Sequence, residues 1–121
     1  MIVTRKKTDP KLEDDGHLWS QLEGDVQYRV IGVEDLWFRI QTSSHNWKPC
    51  LYPFGLFDVI EGTVEPEWVV EVGFDFLGEP YTYIGFHEFQ EPGFWEDVHD
   101  DQPAANQTLI PIFDRLGLRY S

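Results

Sequence analysis

The sequence predicts a single α+β domain in which a mainly antiparallel sheet of about five strands forms a β-meander, with a short helix near each end. Three observations support this fold class. A chain of 121 residues suits one hydrophobic core. Segments that alternate apolar and polar residues are separated by proline and glycine. Helical spacing with capping residues occurs near the two ends of the chain.

The N-terminal part is predicted to be a flexible basic lead, residues 1–8, followed by the domain, residues 9–121. Asp9 suits the N-cap of a short helix and Pro10 its first position, while Gly24 suits its end. The apolar residues of this helix are roughly helically spaced. They are Leu12, Trp19 and Leu22.

The first strands are predicted in the segments 26–30 and 36–42, which are rich in aromatic and β-branched residues. The apolar run 50–60 follows a polar loop. Because Pro53 and Gly55 interrupt this run, it predicts a bulged or edge strand.

The clearest strand signal lies between the Glu-Pro dipeptides at 65–66, 79–80 and 91–92, which delimit the segments 68–76 and 81–89. The first segment alternates strictly, with Glu71 and Asp75 on one face. This pattern is typical of a sheet with one face toward the core and one toward water. The residues of its apolar face are Trp68, Val70, Val72, Phe74 and Phe76.

The C-terminal part is predicted to contain an acidic loop at 93–101 and then a helix. Thr108 suits the N-cap of this helix and Gly117 its end, and Pro111 would fall in its first turn. The segment 118–120 would return as a short strand. The buried side of the helix would consist of Leu109, Ile110, Ile112, Phe113 and Leu116.

The cysteine content and the absence of long apolar runs predict a soluble, cytoplasmic protein. Cys50 is the single cysteine, so no intramolecular disulfide can form. No apolar stretch approaches the ~20 residues of a membrane span, and no apolar region follows the first basic residues.

Charge is the most unusual property of the chain. Residues 49–114 contain 14 Asp and Glu but no Lys or Arg, and the whole chain has 22 acidic and 9 basic residues. Nucleic acids and anionic membranes are bound through Lys and Arg, so both are disfavoured as direct ligands. The sequence therefore predicts a basic protein partner.

The predicted binding surface is the acidic segment that follows the last strand, where two aromatic residues stand among carboxylates. Carboxylates speed the encounter with a basic partner, and a desolvated ring supplies an anchor. Trp95 is the predicted anchor, and whether its ring is exposed does not follow from the sequence. The full set is Glu88, Glu91, Phe94, Trp95, Glu96, Asp97, Asp100 and Asp101.

One alternative is a small metal- or ligand-binding enzyme with a pocket near His87 and His99, also lined by Glu71 and Tyr83. The two histidines are 12 residues apart and no His-Glu-x-x-His motif is present, so the sequence predicts neither a metal nor a cofactor. A second alternative is a DNA mimic, which needs carboxylates spaced along an elongated face. A Cys50 nucleophile activated by His45 is a weaker candidate.

No family motif aligns with the chain. In size, charge and compartment alone, it resembles small acidic bacterial inhibitors such as immunity proteins that neutralise a toxin nuclease. The leading hypothesis is a non-enzymatic inhibitor that masks a basic surface of its partner. Its oligomeric state does not follow from the sequence.

Overall fold

Within the part of the chain that the structure describes, residues 1–12, 16–42 and 46–121 of a computed structural model, seven strands and three helices form an α+β fold, as predicted. Short 3-10 turns occur at Phe54–Leu56 and His87–Phe89. The strands are β1 (Ile2–Arg5), β2 (Gln27–Glu34), β3 (Trp37–Ile40), β4 (Cys50–Pro53), β5 (Phe57–Glu61), β6 (Trp68–Phe74) and β7 (Pro80–Phe86). The helices are α1 (Gly16–Gln21), α2 (Phe94–His99) and α3 (Pro103–Leu116).

Strand β2 is the centre of the sheet, and all strand pairs are antiparallel. Its first half pairs with β1, which in turn pairs with β5. Its second half lies between β3 and β7, so that Gly32 is opposite both Arg39 and Gly85. Strand β4 pairs with β3, and β6 pairs with β7. The register shifts between Val30 and Gly32, and such an irregularity bends a strand where its neighbours change.

Two apolar clusters hold these elements together. The first fills the space beneath β1, β2, β3 and β5 and includes the fully buried Val3, Ile40 and Leu56. The second joins the sheet to α2 and α3 and includes Phe86, Leu109 and Phe113. Burial of each such side chain contributes about 1.5–3 kcal/mol to stability.

The prediction of a flexible lead at residues 1–8 is wrong for Ile2–Arg5, which form β1. The β-branched residues of this segment suit a strand, and Val3 is fully buried between two neighbouring strands. The guanidinium group of Arg5 lies 3.9 Å from the Trp19 ring centroid, and its Nη1 donates to the Leu22 carbonyl at 2.6 Å. The basic residues therefore do not prevent this segment from entering the core.

The helix predicted from Asp9 begins later. Asp9 Oδ1 accepts a hydrogen bond from the Lys11 amide at 2.8 Å, which makes a turn, and α1 starts at Gly16. Residues 13–15 of the predicted helix lie outside the described residues. Strand β2 continues through Gly32 to Glu34, where the sequence predicted a connection.

The C-terminal predictions are partly confirmed. Helix α3 ends before Gly117, which has φ 74° as a helix-terminating glycine requires, but it begins at Pro103 rather than after Thr108. The acidic segment predicted to be a loop contains α2. Residues 118–120 are not a strand.

The alternation of β6 is confirmed, but its apolar face is largely exposed. Trp68 packs against both clusters, whereas Val70, Val72 and Phe74 are exposed. The β6–β7 hairpin extends past the end of the core, so nothing among the described residues covers these side chains. None of the described helices has the length and apolar content to cross a membrane.

Candidate functional site

An acidic cavity of about 860 Å³ opens on the face of the β6–β7 hairpin that carries Glu71 and Tyr83. Turns and loops at the ends of β2, β6 and β7 complete its wall. Six carboxylates line it: Glu34, Asp35, Glu71, Asp75, Glu88 and Glu91. Four aromatic rings do so as well: Phe74, Phe76, Tyr81 and Tyr83. We call this site the acidic cavity.

The antiparallel register brings the central residues of the acidic cavity together. Tyr83 of β7 lies opposite Glu71 of β6 on one side and Glu34 of β2 on the other. Directly opposite residues of antiparallel strands share a face, so all three side chains lie on the same side of the sheet. Tyr81 lies over Gly73, where a Cβ would come 3.1 Å from the Tyr81 hydroxyl.

Hydrogen bonds fix the Glu71 carboxylate. Tyr81 Oη donates to Glu71 Oε1 at 2.9 Å, and Gln90 Nε2 donates to the other carboxylate oxygen. The hydrogen bond to Glu71 raises the pKa of Tyr81, because it holds the proton on the phenol. The Glu71 carboxylate is therefore oriented by neutral donors.

The negative charge of the acidic cavity is largely uncompensated. Among the described residues, Glu34 is the one lining carboxylate with an ion pair, made by Arg39 Nε at 2.8 Å. Asp35 and Asp75 accept hydrogen bonds from backbone amides, which orient their carboxylates without adding a cation. A concave surface lined by one sign of charge concentrates ions of the opposite sign. The cavity is thus suited to a cation.

The predicted partner-binding acids divide into two groups. Glu88 and Glu91 line the acidic cavity. The other four are exposed on α2 and in the turn after it: Glu96, Asp97, Asp100 and Asp101. Lys48 compensates part of this second group, since its Nζ lies 2.9 Å from Asp101 Oδ1.

The two aromatic residues of the predicted binding surface, Phe94 and Trp95, are buried, which contradicts the hypothesis of an exposed anchor. Both are 8% exposed and belong to the second apolar cluster. Phe94 stacks on Phe89 with ring centroids 5.0 Å apart, and the Arg39 guanidinium lies 4.5 Å from the Trp95 centroid. Residues 94, 95 and 98 share the inner side of α2, so helical spacing directs the rings inward and the acids outward.

Of the four residues proposed for the alternative pocket, the structure places Glu71, Tyr83 and His87 at the acidic cavity but not His99. His99 lines a separate small cavity beside Arg39, and its Nε2 lies 3.2 Å from the Pro49 carbonyl oxygen. No group of three or more potential metal ligands occurs among the described residues. Cys50 is exposed, and His45 lies outside the described residues.

The buried Tyr83 predicts a loss of stability at alkaline pH. Its hydroxyl donates to the Phe86 carbonyl at 2.7 Å, and burial, assisted by the charge of Glu34, raises the pKa of Tyr83 above its ordinary value of 10.0. The folded state therefore holds this proton more tightly than the unfolded state does. Its contribution to stability is complete below pH 10 and is lost as the pH rises through the folded-state pKa.

We expect the melting temperature to fall above pH 10, and to fall less steeply in Tyr83→Phe. Circular dichroism melts across this pH range measure the melting temperatures of the wild type and of Tyr83→Phe. The absorbance of tyrosinate measures tyrosine ionisation over the same range. Equal pH dependence in the two proteins would contradict a role for Tyr83.

Sequence reasoning missed Asp35, Asp75, Phe74 and Phe76 as site residues. The first two lie just beyond the ends of β2 and β6, and Phe76 lies in the turn before β7. The signal available in the sequence was their position at strand ends, since the ends of paired strands meet.

Comparison of the chain with protein-family models, with curated proteins and with solved structures finds no match.

Proposed function

We propose that this protein is a small non-enzymatic inhibitor that captures a basic protein partner through the acidic cavity and so masks a functional basic surface, such as that of a toxin nuclease. The observation that carries this proposal is the composition of the cavity. Within the described part of the chain, the lining consists of five carboxylates without an ion pair, Glu34 with its ion pair to Arg39, and four aromatic rings, and it includes no Lys or Arg. A cytoplasmic location with a reduced Cys50 is part of the proposal.

A Lys or Arg side chain of the partner suits both components of the cavity. A guanidinium group pairs with carboxylates through two parallel hydrogen bonds and stacks on aromatic faces. The rings of Tyr81 and Phe74 take the anchoring role that the sequence assigned to Trp95. The exposed acids of α2 would accelerate the encounter, because opposite charge steers association at low ionic strength.

The volume of the cavity favours a second candidate function, the binding of a small organic cation. Sites for small molecules commonly enclose about 300–1,000 Å³, and this cavity falls in that range. His87, whose Nδ1 lies 3.3 Å from Gln90 Oε1, would border such a ligand on the loop side of the cavity.

The test compares pull-downs from native lysate using the wild type and two variants of equal net charge. The cavity variant is Glu88→Gln/Glu91→Gln, and the control is Glu61→Gln/Asp114→Asn, whose exposed residues do not line the cavity. We expect a basic protein to bind the wild type and the control at low salt and to dissociate at 0.5 M salt. The cavity variant should bind it about tenfold more weakly, which corresponds to ~1.4 kcal/mol.

Two results would contradict the proposal. Equal binding to both variants would place the partner away from the cavity, and binding insensitive to salt would exclude an electrostatic association. Saturable binding of a small diamine, without a protein partner, would favour the second candidate.

A further inference from the structure

The outer edge of β6 carries unpaired backbone groups. Its inner edge pairs with β7 from Trp68 to Phe74, and no described strand pairs with the other edge. Proteins protect such edges with Lys, Pro or a covering element, because an open edge accepts further strands. The sequence of β6, WVVEVGF, contains neither Lys nor Pro. This edge is therefore competent to pair with an extended segment.

The two faces of β6 differ in chemistry, since one face is apolar and the other carries Glu71. On one face Val70 and Val72 are 68% and 71% exposed. Phe74 and Phe76, at the end of the strand and just beyond it, are 74% and 95% exposed and border the acidic cavity as well. The two phenylalanines alone expose on the order of 300 Å². Exposed apolar patches of this size mark interaction sites. On the opposite face, Glu71 belongs to the acidic cavity.

We propose that the edge of β6 binds an extended segment of the partner in which basic and apolar residues alternate. This inference rests on the proposed function and specifies the partner. Side chains of a newly paired strand lie beside those of β6 that share their face. Basic residues would lie beside Glu71 and Asp75, over the acidic cavity, and apolar residues would lie beside Val70 and Val72.

Charge complementarity selects a basic strand over a second copy of β6. Self-association would bring together two chains with a formal net charge of −13 each. Strand β6 has no cation to place beside the Glu71 of another copy. A strand with alternate Lys or Arg supplies that cation and still covers the apolar face.

The first experiment measures binding of a synthetic peptide in which Arg and Val alternate, by calorimetry at low salt. Its control has the same composition in two blocks, one of Arg and one of Val. We expect the alternating peptide to bind at least about tenfold more tightly, since only it places each residue type on the matching face.

Amide methylation tests the backbone pairing. Successive residues of a strand direct their N–H groups to opposite edges, so one alternating peptide is methylated at every Val amide and another at every Arg amide. If the peptide pairs with β6, one of these two loses binding and the other retains it. Equal affinities for both would contradict strand pairing.

A matched pair of protein variants locates the site. Val72→Lys and Val59→Lys each add one positive charge to an exposed position of an edge strand, Val59 being 55% exposed on β5. We expect Val72→Lys to weaken binding of the alternating peptide at least about tenfold and Val59→Lys to change it little. Thermal melts confirm that both variants fold.

The outcomes separate this inference from the proposed function. Equal, salt-sensitive binding of the alternating and block peptides would overturn strand pairing. It would still agree with the proposed function, in which the acidic cavity binds cationic side chains. If the alternating peptide does not bind, strand pairing is also overturned, and the lysate experiment then decides the proposed function independently. A dimer that strengthens with salt and is abolished by Val72→Lys would identify a second copy as the occupant.

Discussion

Replacement of Trp95 by alanine is expected to lower the free energy of unfolding by about 3–5 kcal/mol. The ring is buried, its centroid lies 5.1 Å from those of Phe89 and Phe94, and the Arg39 guanidinium stacks on it. Truncation would leave a cavity and remove the cation–π contact in one step. Small domains have total stabilities of about 5–15 kcal/mol, so a loss of this size is readily measured by urea denaturation.

The control for Trp95→Ala is Trp37→Ala, which removes the same side chain from an exposed position of β3. We expect this variant to lose less stability than Trp95→Ala, because Trp37 is 37% exposed and buries less of its ring. The sequence-based hypothesis of an exposed anchor makes the opposite prediction for Trp95→Ala. A variant with wild-type stability and impaired partner binding would support that hypothesis and contradict the structure.

Replacement of Gly85 by alanine is expected to lower the free energy of unfolding by about 1–3 kcal/mol through overpacking. A Cβ at this position would lie 2.7 Å from the Tyr83 hydroxyl oxygen and 3.2 Å from Gly32 Cα. The hydroxyl is held by the Phe86 carbonyl and the Gly32 contact is backbone, so neither can move cheaply. Urea denaturation of the variant measures the loss.

Gly62→Ala is the matched control, because nothing lies within 4 Å of a Cβ added there. It should be neutral or slightly stabilising, since alanine restricts the unfolded chain. The effect of Gly85→Ala should extend to the acidic cavity, since β7 attaches the hairpin to β2 through Gly32, Val33 and Glu34. Wild-type stability in Gly85→Ala would show that the two strands have room to separate at this pair.

Local patterns predicted much of this fold. The alternation in β6, the proline-bounded hairpin and the helix end at Gly117 each depend on residues that are close in the chain. The packing of the segment around Trp95 is not local. The sequence around Trp95 is typical of a loop, because Pro92 and Gly93 precede several acidic residues. In the structure this segment is helical, and its rings pack against α3 in the second apolar cluster.

The candidate site was predictable to the extent that it lies on neighbouring strands. Glu71, Tyr83 and His87 were proposed for one pocket from their predicted positions, and they do line the acidic cavity. Asp35 could not be assigned to it, because its place at the cavity depends on the pairing of β2 with β7, strands that are distant in the sequence. The exposure of Val72 could not be predicted from the sequence either, because alternation shows which residues share a face of a strand but not what covers that face.

The position of β1 between β2 and β5 determines when the sheet can be completed. Val3 pairs with Tyr28 on one side and with Val59 on the other, and both partners follow it in the chain. Pairing between distant segments is slow, because the intervening chain must be ordered before the contact forms. In a chain emerging from the ribosome, β1 therefore acquires its second neighbour only after β5 has also been synthesised.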